Sequence, residues 1–328
     1  MRNPLIDQYG RHIEYLRLSV TDRCDLRCQY CIPKGFKDFV APDEWLNFDE
    51  IARLVRLFAE MGVNHIRLTG GEPLVRRDID QLVSVLSTIP GVSDLSMSSN
   101  AIRLGHYAEK LKRAGLNRLN VSLDSINPQR YAEITGGGKL EKVLNSLEVA
   151  RTLGIGPIKI NCVLMKGVND DEVPAILEYC AARDFTLRLI ETMPVGDTGR
   201  SSQSLYVSLE STRLQLSKEY DLVPDIMPGA GPARYYRIKG SASRIGFITP
   251  ISQHFCDTCN RLRLSCEGDL YTCLGDESRY RLADHLRSGC DDTELEQLIR
   301  AAINLKPLKH EFNTNRQKVI RFMSMTGG

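Results

Sequence analysis

"EYLRLSVTDRCDLRCQYCIPKG", residues 14–35, joins a strand pattern to a loop that is rich in cysteine. Apolar and polar side chains alternate through its first part, which is typical of a β-strand because successive side chains point to opposite faces. Three cysteines then follow within eight residues, at Cys24, Cys28 and Cys31. A structural zinc site would want a fourth ligand, and no histidine or further cysteine lies nearby. A 4Fe–4S cluster bound by three thiolates would instead keep one iron open, so the stretch predicts such a centre after the first strand.

The strand pattern recurs five more times, with helical patterns between the strands. The six patterns begin at residues 14, 65, 94, 118, 158 and 186. Such alternation predicts a parallel sheet with right-handed crossovers. Six units are fewer than the eight of a closed barrel. We therefore expect an α/β fold with an incomplete (β/α)6 barrel in residues 1–200, closed by a C-terminal domain in residues 201–328, where the alternation stops and the chain reads as loop-rich.

One helical pattern has both of its ends marked. Apolar residues recur on one face between Asn47 and Gly62. Asn47 is a predicted N-cap, with Glu50 three residues later in the position of a capping box, and Gly62 is a predicted stop.

The overall composition excludes several classes of protein. The 43 Lys and Arg residues nearly balance 41 Asp and Glu residues, so we expect no general nucleic-acid partner. The chain shows neither a secretory signal pattern nor an apolar run long enough to span a bilayer, which predicts a cytoplasmic protein with no membrane partner. Its ten cysteines would serve metals or catalysis more often than disulfides there. Composition leaves a monomer and a homodimer equally open.

A polar residue occupies the middle of each predicted strand, although strands of parallel sheets are usually apolar throughout. The two-residue period of a strand would send these residues to one shared polar face. Four of them are cations, namely Arg17, Arg67, Lys159 and Arg188. Any one of them could pair with a carboxylate such as Asp124 or Glu191, but the strands offer fewer carboxylates than cations. Burial of unpaired cations is costly, so this face is predicted to bind a polyanion, and a triphosphate fits well.

The first cysteine loop resembles the signature of the radical S-adenosylmethionine (SAM) superfamily, which has Cys-x3-Cys-x2-Cys with an aromatic residue, here Tyr30, before the last cysteine. "TGGEPL", residues 69–74, resembles the GGEP segment of the same superfamily. Gly70 and Gly71 leave backbone groups free to contact a bound amino group, and Glu72 is a suitable anionic partner for it. The resemblance implies that SAM chelates the open iron of a 4Fe–4S cluster and is cleaved by one electron to a 5′-deoxyadenosyl radical.

A second group of cysteines lies near the other end of the chain, at Cys256, Cys259, Cys266 and Cys273. The first, second and fourth members form another set of three ligands. From spacing alone, a zinc ribbon with Cys266 or His254 as the fourth ligand is equally compatible.

Taken together, these motifs closely resemble the GTP 3′,8-cyclase family, which performs the first step of molybdenum-cofactor biosynthesis. Arg261 and Arg263 lie between the ligands of the second cysteine set, and Gly327 and Gly328 end the chain. The resemblance implies radical cyclisation of GTP to (8S)-3′,8-cyclo-7,8-dihydroguanosine 5′-triphosphate. It also implies two 4Fe–4S clusters, SAM as cofactor, a flavodoxin- or ferredoxin-like electron donor and a downstream cyclic pyranopterin synthase.

The resemblance also implies roles for individual residues. The second cluster would be bound by Cys256, Cys259 and Cys273, with Cys266 as a non-ligating residue. The predicted GTP contacts are Arg17, Arg67, Ser98, Lys159, Arg188, Arg261, Leu262 and Arg263. Three of these contacts, Arg17, Arg261 and Arg263, are also predicted to be catalytic. The predicted SAM contacts are Tyr30, Gly71, Glu72, Ser122 and Met193. For Met193, packing in the core is the more common role of methionine.

Two positions depart from the family pattern. Asp25 stands where the family usually has Asn, and Ala101 stands where it usually has Gly. Alanine adopts a positive φ only at a cost, so the role of its loop stays open. Two other functions were also compatible with parts of the sequence. A peptide-modifying radical SAM enzyme would leave the buried cations unexplained, and a zinc-stabilised binding protein would contain no iron or sulfide.

Overall fold

The computed structural model describes residues 2–227, 229, 231–315 and 317–327. Within these residues twelve strands form one sheet. The strands are β1 (Tyr15–Ser19), β2 (His65–Thr69), β3 (Asp94–Ser99), β4 (Arg118–Ser122), β5 (Ile158–Val163), β6 (Thr186–Ile190), β7 (Leu222–Asp225), β8 (Arg234–Ile238), β9 (Arg244–Ile248), β10 (Arg261–Leu264), β11 (Asp269–Tyr271) and β12 (Arg279–Arg281).

Eleven α-helices accompany these strands in the described part of the chain. They are α1 (Phe48–Glu60), α2 (Ile79–Ser87), α3 (Leu104–Arg113), α4 (Pro128–Thr135), α5 (Leu140–Thr152), α6 (Val173–Ala181), α7 (Gly196–Ser201), α8 (Leu209–Leu216), α9 (Leu282–Arg287), α10 (Asp292–Asn304) and α11 (Met323–Thr326). None of them is long and apolar enough to cross a membrane.

The first six strands form the predicted parallel sheet, with neighbours in the order β1 to β6. Helix α1 also has its predicted ends. The Asn47 side chain accepts a hydrogen bond from the backbone N–H of Glu50, whose own side chain accepts one from Asn47. This capping box satisfies backbone groups that would otherwise lack partners at the start of the helix.

The last third of the chain is more regular than predicted. Strand β10 pairs in parallel with β1, and β9 pairs in parallel with β6, so the C-terminal strands extend the sheet at both edges. The prediction of a loop-rich region was wrong here. The six added strands are only three to five residues long, and long-range pairing supports such short segments without leaving a strong local pattern.

The two faces of the sheet differ as the alternation predicts. Leu16, Leu68 and Leu189 are fully buried on the apolar face that packs against helices. On the opposite face, the register places Arg17 directly between Arg67 on β2 and Arg263 on β10. The sheet therefore places cations from separate parts of the sequence side by side.

Candidate active site

Two adjoining cavities lie over the polar face of the sheet. The first, which we call the loop cavity, is lined by the first three cysteines and by the segments that follow β2, β3 and β4. The second, which we call the arginine cavity, is lined by the second cysteine set and by five arginines. The two cavities share Asn161, Ile190, Met193 and Met323 in their linings. Molecules bound in them would therefore be neighbours.

The loop cavity collects every residue that was predicted to contact SAM. Its lining includes Tyr30, Gly71, Glu72, Ser122 and Met193. Met193 is half-buried and lines both cavities, so its side chain is available to a ligand. Ser98, which was predicted to contact GTP, lines this cavity too, and its buried hydroxyl has no partner among the described residues.

The glycines after β2 are needed for close packing of the cysteine loop. A Cβ on Gly71 would overlap the Arg23 carbonyl and lie 2.7 Å from the carbonyl oxygen of Asp22. The Gly71 N–H donates to the Thr21 carbonyl at 2.8 Å. The two loops are therefore fixed to each other through their backbones, a structural reason for glycine in addition to the predicted contact with a ligand.

Glu72 is fully buried, and its carboxylate forms hydrogen bonds with the loop that follows β3. Its carboxylate accepts hydrogen bonds from the Ser99 hydroxyl at 2.8 Å and from the Asn100 N–H at 2.7 Å. Burial raises its pKa to about 7 although these donors favour the charged form. Glu72 thus lines the loop cavity and holds the turn after β3.

The two departures from the family pattern lie next to each other. Asp25 accepts hydrogen bonds from the Asn100 side chain at 2.7 Å and from Arg103 at 3.0 Å. Ala101 has a φ of 60°, and its N–H donates to the Ser99 hydroxyl at 2.9 Å. These contacts hold Ala101 in a left-handed conformation that costs roughly 1–2 kcal/mol for a residue with a Cβ.

One polar pair in the loop cavity was not predicted. The Tyr30 hydroxyl donates to the Asp124 carboxylate at 2.6 Å, and the Val163 N–H donates to the same carboxylate at 2.8 Å. Burial raises the pKa of Asp124 to about 6. The sequence indicates Asp124 only as a possible partner for a cation, because no local pattern links it to Tyr30.

The arginine cavity brings the predicted cations together. Arg17, Arg67, Arg188, Arg261 and Arg263 all line it, and Lys159 lines a smaller adjoining cavity together with Arg67 and Arg188. Four of the six are at most 8% exposed, namely Arg67, Lys159, Arg188 and Arg263. The polar face of the sheet is therefore the most positively charged part of the site.

The carboxylates that were considered as partners for these cations are used elsewhere. Glu191 accepts hydrogen bonds from Tyr206 and from Ser252, and Asp124 faces Tyr30. Burial lowers the pKa of Arg17 to about 9 and that of Arg188 to about 10, with the surrounding arginines adding to the shift. Such shifts mark charges without an anion, which a bound polyanion would supply.

The Leu262 side chain faces away from the arginine cavity. Its side chain is fully buried in the core, because it lies between Arg261 and Arg263 and points to the other face of β10. The alternation that brings the two arginines to the cavity turns Leu262 away from it. The Leu262 side chain therefore does not line the cavity, and the predicted contact of this residue with GTP stays a prediction.

The second cysteine set also lines the arginine cavity, through Cys256, Cys259 and Cys273. Burial alone would raise the pKa of Cys259. The positive charges of Lys306 and Arg261 outweigh this effect of burial, so the pKa is lowered to about 7. No three His, Cys, Asp or Glu groups in the described ranges converge on a position for a single metal ion. The thiolates of an iron–sulfur cluster bind separate irons and surround a wider space.

Comparison with known proteins identifies the family. The Radical SAM superfamily model matches residues 18–180, and the Molybdenum Cofactor Synthesis C model matches residues 185–312. GTP 3′,8-cyclase 1 of Pseudomonas aeruginosa is 45% identical over 326 residues, which cover 98% of this chain and 99% of that protein. GTP 3′,8-cyclase of Nitrobacter hamburgensis is 42% identical over 330 residues, with 99% and 96% covered. The chain belongs to the GTP 3′,8-cyclase family.

The fold is also similar to that of a solved radical SAM protein. The structure of SuiB from Streptococcus suis bound to S-adenosylmethionine aligns with a TM-score of 0.64, over 90% of this chain and 69% of that chain. The two sequences are only 14% identical, so the similarity shows a shared fold alone. This similarity confirms the α/β fold predicted from the parallel strands, and the match to the Radical SAM superfamily model confirms the superfamily that the cysteine loop resembled.

Cys266 lies outside both cavities of this cyclase-family chain. It is 1% exposed, and its carbonyl accepts a hydrogen bond from the Leu46 N–H at 2.7 Å. We therefore expect Cys266→Ser to keep the iron content of the protein unchanged, measured after anaerobic reconstitution. A loss of half of the iron in this variant would make Cys266 a cluster ligand.

The C-terminal tail enters the site beside Arg263. This arginine donates hydrogen bonds to the Thr326 carbonyl at 3.1 Å and to the Gly327 carbonyl. Gly327 has a φ of 76° and packs against Thr69, whose side chain a Cβ at Gly327 would overlap. Gly327 therefore lies beside the arginine cavity, while Gly328 lies outside the described residues.

We expect Gly327→Ala to impair cyclisation much more than folding. The added methyl group would displace the tail from Thr69 and Arg263, because both the positive φ and the overlap oppose it. Product formation and the urea midpoint should be measured on the same preparation. Full activity would show that the tail is dispensable, and a large fall in the urea midpoint would show a role in stability.

Proposed function

We propose that this chain cyclises GTP to (8S)-3′,8-cyclo-7,8-dihydroguanosine 5′-triphosphate as the first step of molybdenum-cofactor biosynthesis. The single observation that carries the proposal is the group of six buried or half-buried cations beside the second cysteine set. A triphosphate would neutralise several of them at once, and its base would then face Cys256, Cys259 and Cys273. Membership of the cyclase family supports the same substrate.

The residues present fit two 4Fe–4S clusters and SAM. Each cavity contains three cysteines without disulfide partners, and the polar groups of the loop cavity suit the amino and carboxylate groups of SAM. When bound, the first cluster would supply the electron for cleavage of SAM. The radical formed from SAM would then take a hydrogen atom from C3′ of GTP. We assign the clusters to Cys24, Cys28 and Cys31 and to Cys256, Cys259 and Cys273.

The protein's own residues would act mainly by positioning. Arg17, Arg67, Lys159 and Arg188 would hold the triphosphate, while Arg261 and Arg263 would hold the nucleoside near the second cluster. Such fixed contacts align the reacting carbons and keep water away from a reactive radical. The shared lining of the two cavities supports this arrangement.

We also infer that the parallel strands form an incomplete (β/α)6 barrel in residues 1–200, with residues 201–328 as an iron–sulfur domain that closes it. In the described part of the chain, β9 and β10 extend opposite edges of the sheet and do not pair with each other, which supports an open barrel. A flavodoxin- or ferredoxin-like donor would supply the electron, and a cyclic pyranopterin synthase would use the product. We expect a cytoplasmic monomer or homodimer.

The direct test is anaerobic reconstitution with iron and sulfide, followed by incubation with GTP, SAM and dithionite. We expect a cyclised nucleotide together with at least an equal amount of 5′-deoxyadenosine, both identified by mass spectrometry. Formation of 5′-deoxyadenosine with no change in GTP would refute GTP as the substrate. ATP in place of GTP serves as the matched control, since it offers the same triphosphate with a different base.

We expect GTP binding to weaken as the pH rises above 7. Burial, together with Arg188, Arg118 and Arg67, lowers the pKa of Lys159 to about 7. Its positive charge is therefore fully present only below that pH, and it is lost as the pH rises unless a bound anion retains it. Dissociation constants measured between about pH 6 and about pH 9 should rise for the wild type and rise less for Lys159→Arg, which keeps its charge. Identical pH profiles would remove Lys159 from the binding step.

A further inference from the structure

Lys306 is a fully buried lysine that none of the roles above includes. It follows helix α10 and is 1% exposed. Its ammonium group donates to the Arg261 carbonyl at 2.9 Å, to the Thr272 carbonyl, and to the Cys259 sulfur at 3.6 Å. These acceptors belong to the segments that carry Cys259 and Cys273. Lys306 thus reaches from a separate element into the second cysteine set.

The geometry indicates a charged lysine. An ammonium group has three N–H donors, and three acceptors surround Nζ of Lys306. Within the described ranges the lysines that form ion pairs with carboxylates are Lys239 and Lys318, and Lys306 is not among them. A buried charge normally requires a counterion. Among the three acceptors of Lys306, the one that can carry a negative charge is the Cys259 sulfur, at 3.6 Å.

Arg11 makes a useful contrast on the same side of the cysteine set. It is buried as well, and it donates to the Cys256 carbonyl at 2.8 Å and to the Pro307 carbonyl at 2.8 Å. Unlike Lys306, it forms an ion pair with Asp7 at 2.5 Å. Its charge is therefore balanced within the protein, whereas Lys306 and Arg261 both act on the Cys259 thiol, and of these two only Lys306 donates a hydrogen bond to its sulfur.

We propose that Lys306 is a positioning residue whose positive charge stabilises the thiolates of the second cluster and raises the reduction potential of that cluster. A nearby cation favours the reduced state because that state carries one more negative charge. Hydrogen bonds to the sulfurs of a cluster act in the same direction. The inference rests on the proposed function only in requiring a cluster on Cys256, Cys259 and Cys273.

The test uses the full chain with Cys24, Cys28 and Cys31 replaced by serine, so that only the second cluster gives an EPR signal. In this parent protein, dithionite adds one electron to the cluster while the potential is monitored. Lys306→Met should lower the ratio of reduced to oxidised cluster at least tenfold at a fixed solution potential. For one electron, a tenfold change corresponds to a fall of about 59 mV in the reduction potential of the cluster. Lys306→Arg keeps the charge and should stay close to the parent. Lys309→Met, an exposed lysine three residues away, is the matched control.

The outcomes separate charge from packing. An unchanged potential in Lys306→Met, or an equal shift in Lys306→Arg, would overturn the proposal. Loss of iron in Lys306→Met with retention in Lys306→Arg would support it, because only the charge then distinguishes the two variants. Loss of iron in both would show a role in packing and overturn it. A parent protein without iron would instead refute the second cluster itself.

Discussion

Cys28→Ser is expected to abolish SAM cleavage while GTP binding is retained. Cys28 lines the loop cavity, and serine lacks the soft thiolate that holds iron. The cations proposed to bind GTP line the other cavity and its smaller neighbour, so their positions should not change. Formation of 5′-deoxyadenosine and equilibrium binding of GTP should be measured on the same anaerobic protein.

Cys290→Ser is the matched control for this experiment, because Cys290 lies outside both cavities and its sulfur donates a hydrogen bond to the Asp291 carbonyl at 3.6 Å, which a serine hydroxyl can also donate. It should behave as the wild type in both measurements. A collapse of GTP affinity in Cys28→Ser, with the second cluster still present, would contradict the separation of the two sites.

The second large effect is expected for Arg261→Ala and Arg263→Ala. Both arginines line the arginine cavity, and Arg261 lies over the Phe255 ring at 4.8 Å. Loss of a buried, charged ligand contact typically costs about 2–5 kcal/mol, which corresponds to a loss of GTP affinity of about 30-fold or more. Arg263→Ala should have the larger effect on product formation, because this arginine also holds the C-terminal tail.

Three quantities decide the outcome for these variants: iron content, 5′-deoxyadenosine formed without GTP, and cyclised product. We expect the first two to be retained and the third to fall. The exposed Arg56 provides the control variant Arg56→Ala, which should match the wild type in all three. Normal product formation in either cavity variant would remove that arginine from the site. Loss of all three quantities would mean that the arginine supports the fold of the region around it.

Much of the fold follows from local pattern alone. The six parallel strands and the capped helix α1 appear where alternation, N-cap chemistry and glycine predict them. The C-terminal strands were not predicted from the sequence, because pairing with strands from distant parts of the chain stabilises them. Leu262 on β10, for example, lies opposite Leu16 on β1, although more than two hundred residues separate them along the chain.

The candidate site, like the fold, was predicted in part from local sequence patterns and depended for the rest on tertiary structure. The sequence by itself determined the cysteine sets and the cations at the centres of the strands, because ligand spacing and the two-residue period are local properties. Only the tertiary structure decided which groups meet. It set Arg263 beside Arg17, turned Leu262 into the core, and brought Lys306 against Cys259. Register and burial depend on pairing between distant segments, and no local pattern encodes the partner.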